Sequence, residues 1–171
     1  MIGMDRVETH RFADDGRIPN NPGLPLLLYP GALTVAGDDP AGRFEDRFRR
    51  NGWRGCWRNG IFAFPHYHST AHEVLGIAAG EAKVRFGGEA GIVTTVEAGD
   101  VVAIPAGVGH QNLGSSRDFL VVGAYPAGQT WDLCRGVSGE RPGVLRNIEA
   151  VVLPARDPVH GDGGPLLVFW R

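Results

Sequence analysis

Glycine and proline punctuate this chain so densely that long helices have little room to form. The 171 residues include 26 glycines and 12 prolines, dispersed rather than gathered into a low-complexity tract. Glycine interrupts a helix through its conformational freedom, proline through its missing amide hydrogen and fixed φ. Between Gly55 and Tyr125 the intervening segments are short and apolar or alternating. They run Cys56–Pro65, His72–Ala79, Ala82–Phe86, Ile92–Val96, Val101–Ile104, His110–Leu113 and Phe119–Tyr125. Gly-Glu, Gly-Gly, Ala-Gly-Asp, Pro-Ala-Gly and Gly-Ser-Ser separate them, all of it turn material. Strands spaced so closely predict an all-β sandwich, jelly roll or barrel. No internal repeat is visible, so a duplicated barrel is not expected and residues 1–171 read as one domain.

Outside that core lie an N-terminal extension (1–54) and a C-terminal extension (127–171). Four prolines before position 31 keep the first segment extended, and the apolar run Leu26–Tyr29 is suited to an edge strand or an intersubunit strand. One helix is expected, over about 40–50, packed across one end of the barrel. Asp38 and Asp39 offer capping oxygens, Pro40 suits the first turn, and Asn51-Gly52 provides a left-handed stop. Phe44 and Phe48 share its apolar face. In the tail, the runs Ala150–Leu153 and Leu166–Trp170 are expected to add outer strands.

Charge excludes some functions. Lys and Arg number 17 against 19 Asp and Glu, a net of −2, which leaves no electrostatic footprint for nucleic acid or an anionic membrane. No stretch approaches the roughly 18 apolar residues of a membrane helix. The first fifteen residues carry Asp5, Arg6, Glu8, His10 and Arg11 instead of a signal-peptide core. A cytoplasmic protein is expected, with Cys56 and Cys134 as reduced thiols.

The chemistry concentrates in His66-Tyr67-His68-Ser69-Thr70-Ala71-His72-Glu73. On an extended chain residues two apart share a face, so His66 and His68 point together, as do Phe62 and Phe64 before them. After a turn, Glu73 enters the next strand on a face with Leu75 and Ile77. Adjacent strands lie about 4.8 Å apart, so this carboxylate can meet the imidazoles. His110 arrives from a later strand. Three imidazoles and a carboxylate converging inside a barrel suit one divalent transition ion: Fe, Mn, Ni, Zn or Co. His72 has the opposite parity and is expected to face away, with at most an orienting role behind the ligands.

These residues resemble the two motifs of the cupins. The first motif is met by Gly60, His66, His68, Glu73 and Gly80 at every spacing. The second is met by Gly99, Pro105, Gly107 and His110, with Gly114 where the family carries Asn. The longer stretches HYHSTAHEVLGIAAG, GDVVAIPAGVGHQNLGSS and FLVVGAYPAGQTWDL are similar to a narrower group, the single-domain bacterial cupins of the YjlB-like type. The resemblance implies a double-stranded β-helix, or jelly-roll barrel, and a metal held by His66, His68, Glu73 and His110. It implies no particular reaction, because cupins with such ligands include dioxygenases, decarboxylases, isomerases and lyases.

Phe62, Phe64, Asn112, Tyr125 and Trp131 are the candidates for substrate contact, and Gln111 joins His72 as a candidate behind the ligands. The leading expectation is a mononuclear metal-dependent enzyme acting on a small polar organic molecule. The alternative is a non-catalytic cupin that binds or senses a small molecule. A homodimer is expected, through the apolar Leu24–Tyr29 segment at an open sheet edge.

Overall fold

The computed structural model describes residues 6–171; what was expected of residues 1–5 lies outside the described residues. The strands are β1 (Glu8–His10), β2 (Leu26–Tyr29), β3 (Trp53–Asn59), β4 (Glu73–Ala79), β5 (Glu81–Phe86), β6 (Ile92–Glu97), β7 (Val101–Ile104), β8 (His110–Ser115) and β9 (Leu120–Pro126). They form two antiparallel sheets among the described residues, a six-stranded one in the order β1-β2-β7-β4-β9-β3 and a three-stranded one in the order β6-β5-β8.

The larger sheet is covered on both faces, which explains its continuous apolar runs. Along β4, Leu75 and Ile77 face the space between the sheets with Val84, Phe86 and Val121, while Val74 and Ala78 face outward onto a second core. In β2 the same alternation sends Leu26 and Leu28 inward and Leu27 and Tyr29 outward. β2 therefore lies inside the sheet of its own chain, paired with β7 on one side and β1 on the other. Leu26–Tyr29 is neither an edge nor a free apolar strand, and the ground for expecting a homodimer through it is removed.

The helix α1 (Pro40–Arg50) occupies the expected residues. The Asp39 side chain accepts the Gly42 amide hydrogen at 3.1 Å, and Pro40 stands in the first turn. It packs on the outer face of the large sheet and not over a barrel end. Gly76 is the reason: a Cβ there would overlap the Phe44 ring, so β4 offers a socket in place of a side chain.

Both expected tail strands are corrected. The chain instead forms α2 (Gly143–Ala150) and a single helical turn α3 (Leu166–Phe169), with residues 151–153 in neither helix nor strand. Val144 and Ile148 lie four apart and are buried, a helical pattern. Pro142 and Pro165 immediately precede the two helices, where proline's fixed φ is tolerated. The expected strand Cys56–Pro65 also ends early, at Asn59, where the Asn59 side chain accepts the Gly60 amide and turns the chain away.

One fully buried carboxylate ties this tail down. Asp157 accepts the Tyr29 hydroxyl at 2.8 Å and the amide hydrogens of Val159, His160 and Leu166. Each oxygen takes two donors, and an amide with its NH2 in place of Oδ2 can still donate to the Tyr29 oxygen but leaves the Leu166 amide without an acceptor. Asp157→Asn is expected to cost about 1.5 kcal/mol in chemical denaturation for that lost bond. A change below about 0.5 kcal/mol would contradict this account of the tail.

Candidate metal centre

The loop between β3 and β4 is zipped to neighbours on both sides. His66 exchanges backbone hydrogen bonds with His110, N–H to O at 3.2 and 2.9 Å, and Tyr67 exchanges a pair with Cys134 at 2.9 Å each. The pairing keeps the segment extended, so alternation holds. His66 and His68 turn into the space between the sheets, while Tyr67 turns out to give its hydroxyl to Glu140 at 2.6 Å. Glu73 opens β4 and His110 opens β8.

The three imidazoles offer ligand atoms within 4.8 Å of one another, and all three residues are buried. Glu73, 2% exposed, brings one carboxylate oxygen to 3.3 Å from His68 Nε2 and the other to 3.4 Å from His110 Nε2. Main-chain carbonyls settle which nitrogens face the centre. His66 Nδ1 lies 3.0 Å from the Phe64 carbonyl, His110 Nδ1 lies 3.2 Å from that of Val108, and His68 Nδ1 meets that of Asp132. A carbonyl only accepts, so each Nδ1 carries a hydrogen, and in the neutral ring each Nε2 presents a lone pair. Three lone pairs and a carboxylate then share one buried space with no donor among them. Protons or a cation must sit between these groups. The donor set, imidazole nitrogen with one carboxylate, suits a divalent transition ion.

The protonation equilibria agree. Burial, with help from His110, pulls the His66 pKa down to about 3, so His66 stays neutral. Burial also opposes charge on His68, but Glu73 and Asp132 outweigh it and raise its pKa. Burial alone would raise Glu73; the adjoining His68 and His110 reverse this and hold the carboxyl well below its usual range. Burial and the nearby Glu73 carboxylate keep the Tyr125 phenol protonated.

Beside the cluster opens a cavity of about 420 Å³. Tyr125, Trp131 and Phe62 line it, with Phe62 half-exposed at the rim. Phe64 stacks behind Phe62 with ring centroids 4.8 Å apart and has Arg135 over its other surroundings, 3.8 Å from its centroid. The strand ends before either phenylalanine, which is why strand parity misplaced them. Asn112 does not line the cavity: its side chain accepts the Gly114 amide at 2.8 Å and donates to Ser115, bracing the bulge in β8 where Gly114 replaces the motif Asn.

Gln111 points away from the cluster and donates to the Ala63 carbonyl at 3.0 Å, supporting the Phe62 loop. His72 faces the opposite side, as its parity required. Its Nδ1 accepts the Ala106 amide at 2.9 Å, and its ring packs 4.8 Å from that of Trp170. It has no orienting role toward the ligands.

Two contributors were missed by the sequence reading. Asp132 supplies the carbonyl for His68, and its carboxylate clamps the Ser69 amide at 2.6 Å together with the Ser69 hydroxyl. Trp57 donates its indole hydrogen to the Tyr125 hydroxyl at 2.9 Å. Its ring lies on Gly123, where any Cβ would overlap it. Only the adjacency in Trp131-Asp132 hinted at the first of these, and nothing local hinted at the second.

Residues 59–117 match the family model for the cupin domain. Over 164 residues the chain is 45% identical to "Uncharacterized protein YjlB" of Bacillus subtilis (strain 168), covering 96% of each sequence. Acireductone dioxygenase from Bacillus anthracis, solved with a cadmium ion in its active centre, aligns with a TM-score of 0.41 at 16% identity, over 74% of this chain and 82% of that one. Procruciferin, an 11S globulin from Brassica napus, aligns with a TM-score of 0.37 at 17% identity over 74% of this chain, which spans 26% of its length. At these scores neither structure informs the chemistry.

The Asp132 clamp generates a test. Asp132→Ala frees the loop whose carbonyl orients His68, so affinity for a divalent ion is expected to fall about 10- to 100-fold, measured by competition with a chromophoric chelator. Unchanged affinity would show that His68 is oriented without it.

Proposed function

Because the chain belongs to the cupin superfamily and is a close homologue of the YjlB-like bacterial cupins, we propose that it is a mononuclear metal-dependent enzyme whose ion is held by His66, His68, Glu73 and His110. The observation that carries this is the commitment of all three Nδ1–H groups to main-chain carbonyls, which leaves only lone pairs and a carboxylate facing inward. We read the two sheets as the halves of a jelly roll, and the whole chain as one domain built around this centre.

Bound there, a divalent ion supplies Lewis-acid polarisation of an oxygen ligand. The protein's own groups do the rest. Three neutral imidazoles and one carboxylate leave a divalent charge only half neutralised, so an anionic oxygen of a small molecule is attracted to the site. The Tyr125 hydroxyl, steadied by Trp57, places a protonated phenol beside Glu73 and in the cavity wall. The aromatic lining displaces water from around the bound molecule, which strengthens each polar contact inside. An oxygenase, isomerase, decarboxylase or lyase reaction is compatible with such a site.

The protein purified without chelators is expected to hold close to one equivalent of transition metal by elemental analysis, and His68→Ala to lose most of it while retaining its circular dichroism. Product formed by the wild type in a screen of small organic acids, enols and diketones should disappear in the same variant. Metal below roughly a tenth of an equivalent, unrecovered on reconstitution, would contradict the proposal.

A further inference from the structure

The cavity wall is chemically one-sided. Trp57, Ile61, Phe62, Leu75, Tyr125 and Trp131 supply most of it. Two aromatic pairs flank the imidazoles. Tyr125 and Trp131 stack at 6.2 Å with 17° between planes, and Trp131 meets the edge of His68 at 5.7 Å. At His66, Phe62 stacks on Phe64, and its ring meets that of His66 edge-on at 5.2 Å. The volume of about 420 Å³ falls within the roughly 300–1,000 Å³ of small-molecule sites.

The one guanidinium in the wall is already paired. Arg58 is the one basic residue there, and its guanidinium is held by two carboxylates of the α1 region. Its Nε lies 2.8 Å from Glu45, and its terminal nitrogens lie 3.1 and 3.3 Å from Asp39 and 3.2 Å from Glu45. Its charge is balanced, so no cation is free to meet a phosphate or a remote carboxylate. Asn59 accepts the Gly60 amide and the Tyr125 oxygen accepts from Trp57, so what these two neutral side chains still offer is a few donor hydrogens and no charge. A sugar or polycarboxylate would leave most of its polar groups unpaired against the aromatic rings. Phe62 and Trp131 meanwhile expose 48% and 49% of their surface at the mouth, apolar area that a flat occupant would cover.

We infer that the molecule this site takes is a planar aromatic or conjugated compound with a single oxygen-chelating end and no charge elsewhere. The chelating end faces the imidazoles and the ring lies between Phe62 and Trp131. This rests on the metal reading above and narrows the small polar molecule expected from sequence alone.

Three hydroxamates with one shared chelating head separate the wall from the ion: acetohydroxamate, benzohydroxamate and succinic monohydroxamate. Each is titrated by calorimetry into the metal-holding protein, with metal content measured before and after. Benzohydroxamate is expected to bind at least about tenfold tighter than acetohydroxamate, and the carboxylate-tailed probe no tighter than acetohydroxamate. In Phe62→Ala and Trp131→Ala, which remove rim rings and not core, the ratio of benzohydroxamate to acetohydroxamate affinity within each variant should shrink to under about threefold. Equal affinities in a metal-loaded protein, or preference for the carboxylate tail, overturn the inference and leave the metal reading standing. A protein without metal that binds none of the three overturns both.

Discussion

Three main-chain carbonyls hold the chemistry of this protein in place. Phe64, Asp132 and Val108 each take the Nδ1 hydrogen of a histidine, and that assignment forces three Nε2 lone pairs toward the carboxylate of Glu73. The arrangement is costly unless positive charge sits within it, because acceptors buried together gain nothing from one another. Two of the carbonyls lie two residues before the histidine they serve, so local backbone shape secures His66 and His110. The third is distant in sequence, and its position depends on the Asp132 carboxylate gripping Ser69.

The larger sheet makes this possible by being rigid on both faces. Its inner side packs against the smaller sheet and its outer side against α1 and the tail. Two of its glycines admit aromatic rings. Gly76 admits Phe44 of α1, and Gly123 admits the Trp57 indole that holds Tyr125. Asp157 then draws the tail across the outer core, where Trp170 donates to the Pro25 carbonyl at 2.8 Å. Side chains at the starts of β4 and β8 are positioned by this frame and not by loop chance, which a preorganised site requires.

Much of the centre was legible because strand parity is a strong rule where strands are real. His66, His68, Glu73 and His110 alternate as the sequence demands, and His72 turns away for the same reason. Parity failed where the chain left the sheet, and after the turn at Asn59–Gly60 Phe62 became a rim residue with Phe64 stacked behind it. Short apolar runs such as Leu166–Trp170 do not distinguish a strand from one helical turn, and only the packing of Leu166 and Trp170 onto the outer core decided it. The carbonyls that orient the imidazoles were invisible, since every residue has one and no side-chain identity marks those that matter. The same holds for the pairing of Arg58 with Asp39 and Glu45, which only the fold brings together.

The central claim concerns which nitrogen of each ring carries the hydrogen, and long-range proton–nitrogen correlation NMR of the histidine rings reads this directly. In zinc-loaded protein, His66, His68 and His110 are expected to show Nδ1–H with Nε2 shifted by the ion, while His72, which uses Nδ1 as an acceptor, shows the opposite tautomer and no shift. Ring spectra unchanged by zinc, or coordination through Nδ1, would contradict the account.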